Sequence, residues 1–381
     1  MTDTLRGAPP AVVRDALDAG DPLPGASGRG PTDVGGFGGV IDEGVVRDVV
    51  GRQPVYTEAD AADPTAEGNW AFAPGDLDDP VVVPPGAVRT AAGDSRRLEL
   101  PEPAVDDPDS AQQAVTDALA GALGLDGDGG SADTAVAFSG GVDSALVAAG
   151  LPDAPLYVIG FEGSHDIAAA RAAAAAMDRG EGLTVIELDH ETLQEAVPRV
   201  AAAIGRTNPM DVSIALPLLL VAEQVREDGY DRLALGQGAD ELFGGYSKVV
   251  DPGSDHRVAA DTVRGAVSET IESLPGQLER DVCGLQAVGV DPVTPFLQDR
   301  VVEAALRLPG ELLASDDERK IALRQFARQE GVVPDEVAAT DKKAVQYGSY
   351  VSRELDRLAR QAGYKRRMDD HVGQYIRSLC E

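Results

Sequence analysis

FSGGVDSAL, Phe138 to Leu146, is the stretch that decides the fold. An apolar run, Thr134 to Phe138, enters Ser139-Gly140-Gly141, and helical spacing resumes at Asp143-Ser144. Strand, glycine turn and helix in that order place the backbone amides of the turn and the open N–H groups of the helix start around one point. That point suits an anion, and Ser139 and Ser144 add hydroxyl donors. Asp143 does not favour a bare phosphate, so a cation must sit between them; Mg²⁺ prefers carboxylate together with phosphate oxygens. The bland alternative is a glycine turn followed by an Asp/Ser helix cap. The GxxxxGK[ST] loop of kinases does not occur in the chain.

Working outward, further apolar runs at Leu156–Phe161, Leu183–Leu188 and Arg232–Leu235 alternate with helical patterns at Ala111–Leu123, Ser144–Ala149, Ile167–Met177, Glu191–Ile204 and Leu216–Asp228. Strands alternating with helices predict an α/β protein with a doubly wound parallel sheet, its ligand site at the carboxyl ends of the strands. From about residue 254 the pattern is mostly helical. Residues 1–39, rich in Gly and Pro, are expected to give a flexible segment with one helix, Pro10–Ala19; the cluster Gly35, Gly36, Gly38, Gly39 reads as a turn. Residues 40–105 read as a small sheet of short strands: 45–50, 55–57, 70–73, 81–83, 87–90 and 97–100. Residues 106–381 form the main domain in this reading.

Composition narrows the function. The chain has 381 residues, 33 Lys+Arg against 65 Asp+Glu, and a net charge of −32. Such a surface repels phosphate backbones and anionic lipid, which excludes nucleic-acid binding as a main function. Only five of the basic residues are Lys: Lys248, Lys320, Lys342, Lys343 and Lys365. Acidity along the whole chain reads as adaptation to a salt-rich cytosol. Two Cys, Cys283 and Cys380, and four scattered His give neither a disulfide framework nor a zinc pattern. No apolar run approaches a membrane span, so a cytoplasmic location with no membrane partner is expected.

SGGVDS resembles the signature of the ATP-pyrophosphatase (PP-loop) family, which cleaves ATP between the α and β phosphates. Three later segments extend the likeness to the asparagine synthetases and the related β-lactam synthetases. They are LGQGADELFGGY (Leu235–Tyr246), GVDPVTPFLQDRVVEAALRLP (Gly289–Pro309), and ERKIALRQFA (Glu318–Ala327) followed by DKKAVQYGS (Asp341–Ser349). The resemblance implies ATP and Mg²⁺, with Asp143 and Asp240 holding the metal. It implies pyrophosphate held by Gly140, Gly141, Ser144, Lys320 and one of Lys342 and Lys343, with Ser139 and Gly236 also at the nucleotide. Gly160 and Phe161, ending the second strand, are expected to read adenine. Asn208, Asp211 and Ser213 are candidates for the acceptor pocket, a turn and a helix cap being equally good readings of the first two. Glu241 and Tyr246 shape the site.

Two departures stand out. Gln237 occupies the place of the family's Glu, to which proton handling is assigned when ammonia attacks; an amide cannot serve as a general base. The stretch Arg206–Pro217 also lacks the Arg expected within the aspartate-binding segment. Position 2 is Thr2 where the family's amidotransferases carry Cys, yet VVRDVVGRQPVYTE, Val45–Glu58, is similar to R-D-x-x-G-R-x-P-L-Y of their glutaminase domain. Residues 40–105 therefore read as a shortened glutaminase-like remnant without its nucleophile. The expected activity is ATP-dependent amide synthesis from a carboxylate, by default aspartate, and ammonia. The ammonia would come free or from a separate glutaminase subunit, and a second copy of the chain is a further candidate partner. The rivals are another PP-loop ligase with a different acid or amine, and a non-catalytic ATP-binding protein.

Overall fold

A computed structural model describes residues 3–27, 34–102, 104–125, 133–329, 331–340, 347–367 and 369–381, with backbone alone for 347–349. The N-terminal part contains β1 (Thr4–Arg6), α1 (Pro10–Ala19), β2 (Gly38–Ile41), β3 (Gly44–Arg47), β4 (Tyr56–Glu58), β5 (Trp70–Ala71), β6 (Pro80–Val82), β7 (Ala87–Thr90) and β8 (Gly93–Arg96). These make an antiparallel sheet, β1-β2-β3-β7-β8, and a small sheet, β5-β4-β6. Two elements expected as loop are strands. Gly38 and Gly39 lie in β2 because β1 runs so close that a Cβ at Gly39 would sit 2.1 Å from the Thr4 carbonyl oxygen. The strand expected at 97–100 lies instead at Gly93–Arg96. The hairpin turns at Thr90–Gly93, and the chain bends away where the amides of Arg97 and Leu98 both donate to the Gly86 carbonyl.

After α2 (Pro108–Ala122) comes the alternating region: β9 (Thr134–Ala137), α3 (Val142–Gly150), β10 (Leu156–Phe161), α4 (His165–Ala176), β11 (Leu183–Leu188), α5 (His190–Ile204), α6 (Pro209–Glu227), β12 (Arg232–Ala234) and α7 (Ala239–Phe243). Then follow α8 (Val263–Glu272), α9 (Leu274–Gln286), β13 (Asp291–Val293), α10 (Asp299–Leu306), α11 (Gly310–Leu313), α12 (Ile321–Gln329), α13 (Asp335–Ala338), α14 (Tyr347–Gln361) and α15 (His371–Cys380). α6 starts seven residues before the expected Leu216, because Asn208 caps it and Pro217 is accommodated inside it.

The parallel sheet has the order β11-β10-β9-β12-β13. Its central strands β9, β10 and β12 are largely buried, as a parallel sheet covered on both faces requires, while the edge strands β11 and β13 are part-exposed. Along β10, Leu156 and Val158 face one core with Ala145, Leu146 and Ala170, from α3 and α4; Tyr157 and Ile159 face a second with Val197, Leu216 and Leu219, from α5 and α6. The order reverses between β9 and β12, and at such a switch point the loops leaving the strands part to leave a crevice. Among the described residues, no helix is long and apolar enough to cross a membrane.

Candidate functional site

The loop after β9 and the loop after β12 meet in that crevice. Gly140 takes a left-handed φ of 76°, and a Cβ there would lie 2.6 Å from the Ala169 carbonyl oxygen on α4, so only glycine permits the turn. Gly141, at the N-cap of α3, provides no side-chain cap. Ser144 Oγ closes the loop, accepting from the Ser139 amide at 3.2 Å and donating to the Gly141 carbonyl at 3.1 Å. Gly236 lets the second loop press against the first, since a Cβ on it would sit 2.9 Å from that of Asp143.

Asp143 and Asp240 converge. Lys320 Nζ lies 2.6 Å from Asp143 Oδ2 and 2.6 Å from Asp240 Oδ1. Burial alone would lower the lysine's affinity for its proton, but the two carboxylates outweigh it and hold the ammonium above its ordinary value. Lys320 sits just ahead of α12 at a φ of 58°, unusual for a side chain of its size. Asp143 Oδ1 is buried without a hydrogen-bond partner. Two convergent carboxylates with an orphaned oxygen fit a divalent cation that takes its other ligands from water and phosphate. Among the described residues, no group of three or more His, Cys, Asp or Glu is placed to hold a metal unaided.

A cleft of about 610 Å³ opens beside this pair. One side carries Ser139, Asp143, Ser144, Gly236, Gln237, Asp240, Glu241 and Tyr246. The Tyr246 hydroxyl donates to Glu241 Oε1. Burial, with Asp240 beside it, pushes the Glu241 carboxyl up. The other wall comes from α6, the turn before it and α9: Arg206, Met210, Asp211, Ile214, Gly276, Gln277, Arg280 and Asp281. Burial works against the Asp211 carboxylate, but Asn208, Arg206 and Arg280 outweigh it and hold it below the usual range. Gln237 Nε2 donates to Asp281, which Arg280 also grips, at 2.6 Å through Nε. A narrow recess on the far side of Lys320 is lined by Gly141, Arg319, Arg324 and Thr340.

The expected residues are distributed as follows. Ser139, Asp143, Ser144, Gly236, Asp240, Gln237, Glu241 and Asp211 reach the cleft, and Gly141 and Lys320 line the recess. Asn208 caps α6 through the Asp211 amide, and Ser213 is buried with its hydroxyl on the Met210 carbonyl; neither lines the cleft. Gly160 and Phe161 end β10 but do not line it either. Lys342 and Lys343 fall outside the described residues, as does Thr2. Sequence reading missed Arg280 and Asp281; the signal was Glu279-Arg280-Asp281, three consecutive charges within a helix.

Comparison with known proteins gives the family. The asparagine synthase family model matches residues 130–273 and 255–372. A putative asparagine synthetase (glutamine-hydrolyzing) 1 of Methanocaldococcus jannaschii is 30% identical over 277 residues, 63% of this chain and 50% of that protein. Asparagine synthetase B (glutamine-hydrolyzing) of Escherichia coli is 24% identical over 194 residues, 45% of this chain and 33% of that one. The chain thus spans half or less of the length of these curated relatives. A solved U34-tRNA thiolase, NcsA of Methanococcus maripaludis with its 4Fe-4S cluster, aligns over 71% of this chain and 79% of its own at 14% identity and a TM-score of 0.25, too slight a likeness to bear on function.

Proposed function

Because the chain belongs to the asparagine synthase family, we propose that it is an ATP-dependent amide synthetase that activates a carboxylate, by default aspartate, for attack by ammonia. A carboxylate oxygen of the acid attacks the α-phosphorus of ATP, and pyrophosphate leaves. Ammonia then attacks the acyl carbon of the resulting adenylate, AMP leaves, and the amide remains. The observation that supports this most is the meeting of Asp143 and Asp240, in the first turns of the helices that follow adjacent parallel strands, beside a glycine turn.

The chain's own groups divide the work. Amides of Gly140 and Gly141, the Ser144 hydroxyl and the Lys320 ammonium face the departing pyrophosphate and stabilise its charge. Asp143 and Asp240 would hold Mg²⁺, which supplies further positive charge to the phosphates. The wall of Arg206, Asp211, Arg280 and Asp281 faces the acid. Ammonia arrives free or from a separate glutaminase.

The test is a screen for pyrophosphate release from Mg-ATP, ammonia and a panel of acids in molar KCl, with products identified by mass spectrometry. Release should depend on one acid and fall by about 10²-fold or more in Asp143→Ala. Release with no acid, or release that persists in Asp143→Ala, would overturn the reading. Gln237, tied to Asp281 where the family has a Glu, favours a second reading in which the acid is other than aspartate; the product masses decide between them.

A further inference from the structure

We infer that Arg47, on β3 of the N-terminal sheet and outside the cleft's lining, is a positioning residue for the cleft's substrate wall. This rests on the synthetase reading and adds a role for the N-terminal sheet in it. Arg47 is 1% exposed. Its Nη1 donates to Glu279 Oε1 at 2.8 Å, and its Nη2 to the carbonyls of Gly51 at 2.8 Å and Pro275 at 3.2 Å. Glu279 and Pro275 both belong to α9.

From Glu279 a relay of alternating charge runs into the cleft. Glu279 Oε2 accepts from Arg206 Nη2 at 2.5 Å, and Arg206 Nη1 reaches Asp211 Oδ2 at 3.2 Å. Asp211 Oδ1 accepts from Arg280 Nη1 at 3.3 Å, and Arg280 grips Asp281, on which Gln237 closes the series. Three guanidinium groups face three carboxylates, so the set balances only with Arg47 in place. The last five members line the cleft, while Arg47 and Glu279 do not.

Removing Arg47 leaves Glu279 with Arg206 as its remaining partner in the relay. Arg206 is then drawn toward α9 and away from Asp211, and the carbonyl of Pro275, just before Gly276 in the wall, loses its anchor. The expected disturbance is on the acid's side of the cleft. The phosphates would meet α3, Asp240 and Lys320, which the relay leaves in place.

The experiment uses the full chain with Mg-ATP, aspartate and ammonium in molar KCl, following pyrophosphate release. In parallel, hydrogen–deuterium exchange is followed over residues 138–150, 206–214 and 274–286. Arg47→Gln should raise the KM for aspartate about tenfold while the KM for ATP and kcat stay within about twofold. Arg47→Lys, which keeps the charge, should recover part of the loss. Glu279→Gln breaks the same contact from the other side and carries the test if Arg47→Gln does not fold. An unchanged aspartate KM, or an equal rise for both substrates, overturns the inference. Should the wild type release no pyrophosphate with aspartate, the aspartate reading fails and the exchange data decide this one. Faster exchange in 206–214 and 274–286, with 138–150 unchanged, supports it; equal exchange throughout overturns it.

Discussion

Glu241 shows how one buried acid can count against the fold. It is 4% exposed, its Oε1 accepts from the Tyr246 hydroxyl, and burial pushes its carboxyl above the ordinary range. A group whose folded value is raised binds its proton more tightly in the native state. Stability therefore falls as pH rises from the unfolded value through the folded one, and the cost is fully present above both. Glu241→Gln keeps the acceptor for Tyr246 and removes the charge. We expect it to stabilise the protein at pH 8, with the gain fading toward pH 4. Urea unfolding at the two pH values measures this, and a gain independent of pH would contradict it. Asp143, Asp240 and Lys320 were legible in the sequence because each sits in a short string whose residue order is distinctive. Arg280 and Asp281 were not. With 26% of residues charged, a run such as Glu279-Arg280-Asp281 reads as a solvated face. In fact all three are at most 9% exposed, and Glu279 and Arg280 pair with Arg47 and Asp211, far away in the chain.

At the scale of elements, the turn after β3 is tied to α10 by buried charge. Asp48 accepts from the amides of Val50, Gly51 and Arg52 and from Arg52 Nε at 2.8 Å. Arg52 Nη1 reaches Asp299 Oδ1 at 2.6 Å, and Asp299 Oδ2 accepts from the Gly25 amide. Burial pushes the Asp299 carboxyl up and Arg52 opposes it. Arg52→Met leaves two buried carboxylates without their shared cation and should cost about 3–5 kcal/mol at pH 7. The loss should shrink at about pH 5, because the mutant's Asp299 takes up a proton that an unfolded Asp releases. Urea midpoints at both pH values check this. The central parallel strands β9 and β10 were readable because burial on both faces makes them apolar runs. β13 was not, since Asp291-Pro292-Val293 contains a proline, which is excluded from central strands; it is admitted here because β13 lies at the sheet's edge, paired with β12. β2 escaped for a related reason: glycines chosen for close backbone approach carry no strand signal.

For the whole molecule, a net charge of −32 sets a repulsion that salt must screen. The screening length falls from about 10 Å at 0.1 M to about 3 Å at 1 M. The thermal midpoint should rise by several degrees between those concentrations of KCl, more than for a near-neutral protein of equal size; a flat response would show that the surplus acids are already neutralised pairwise. The Lys320 ammonium seated between Asp143 and Asp240 bears on the same problem. A tethered counter-ion cannot be diluted away. The crevice thus keeps its two like charges drawn inward rather than splayed.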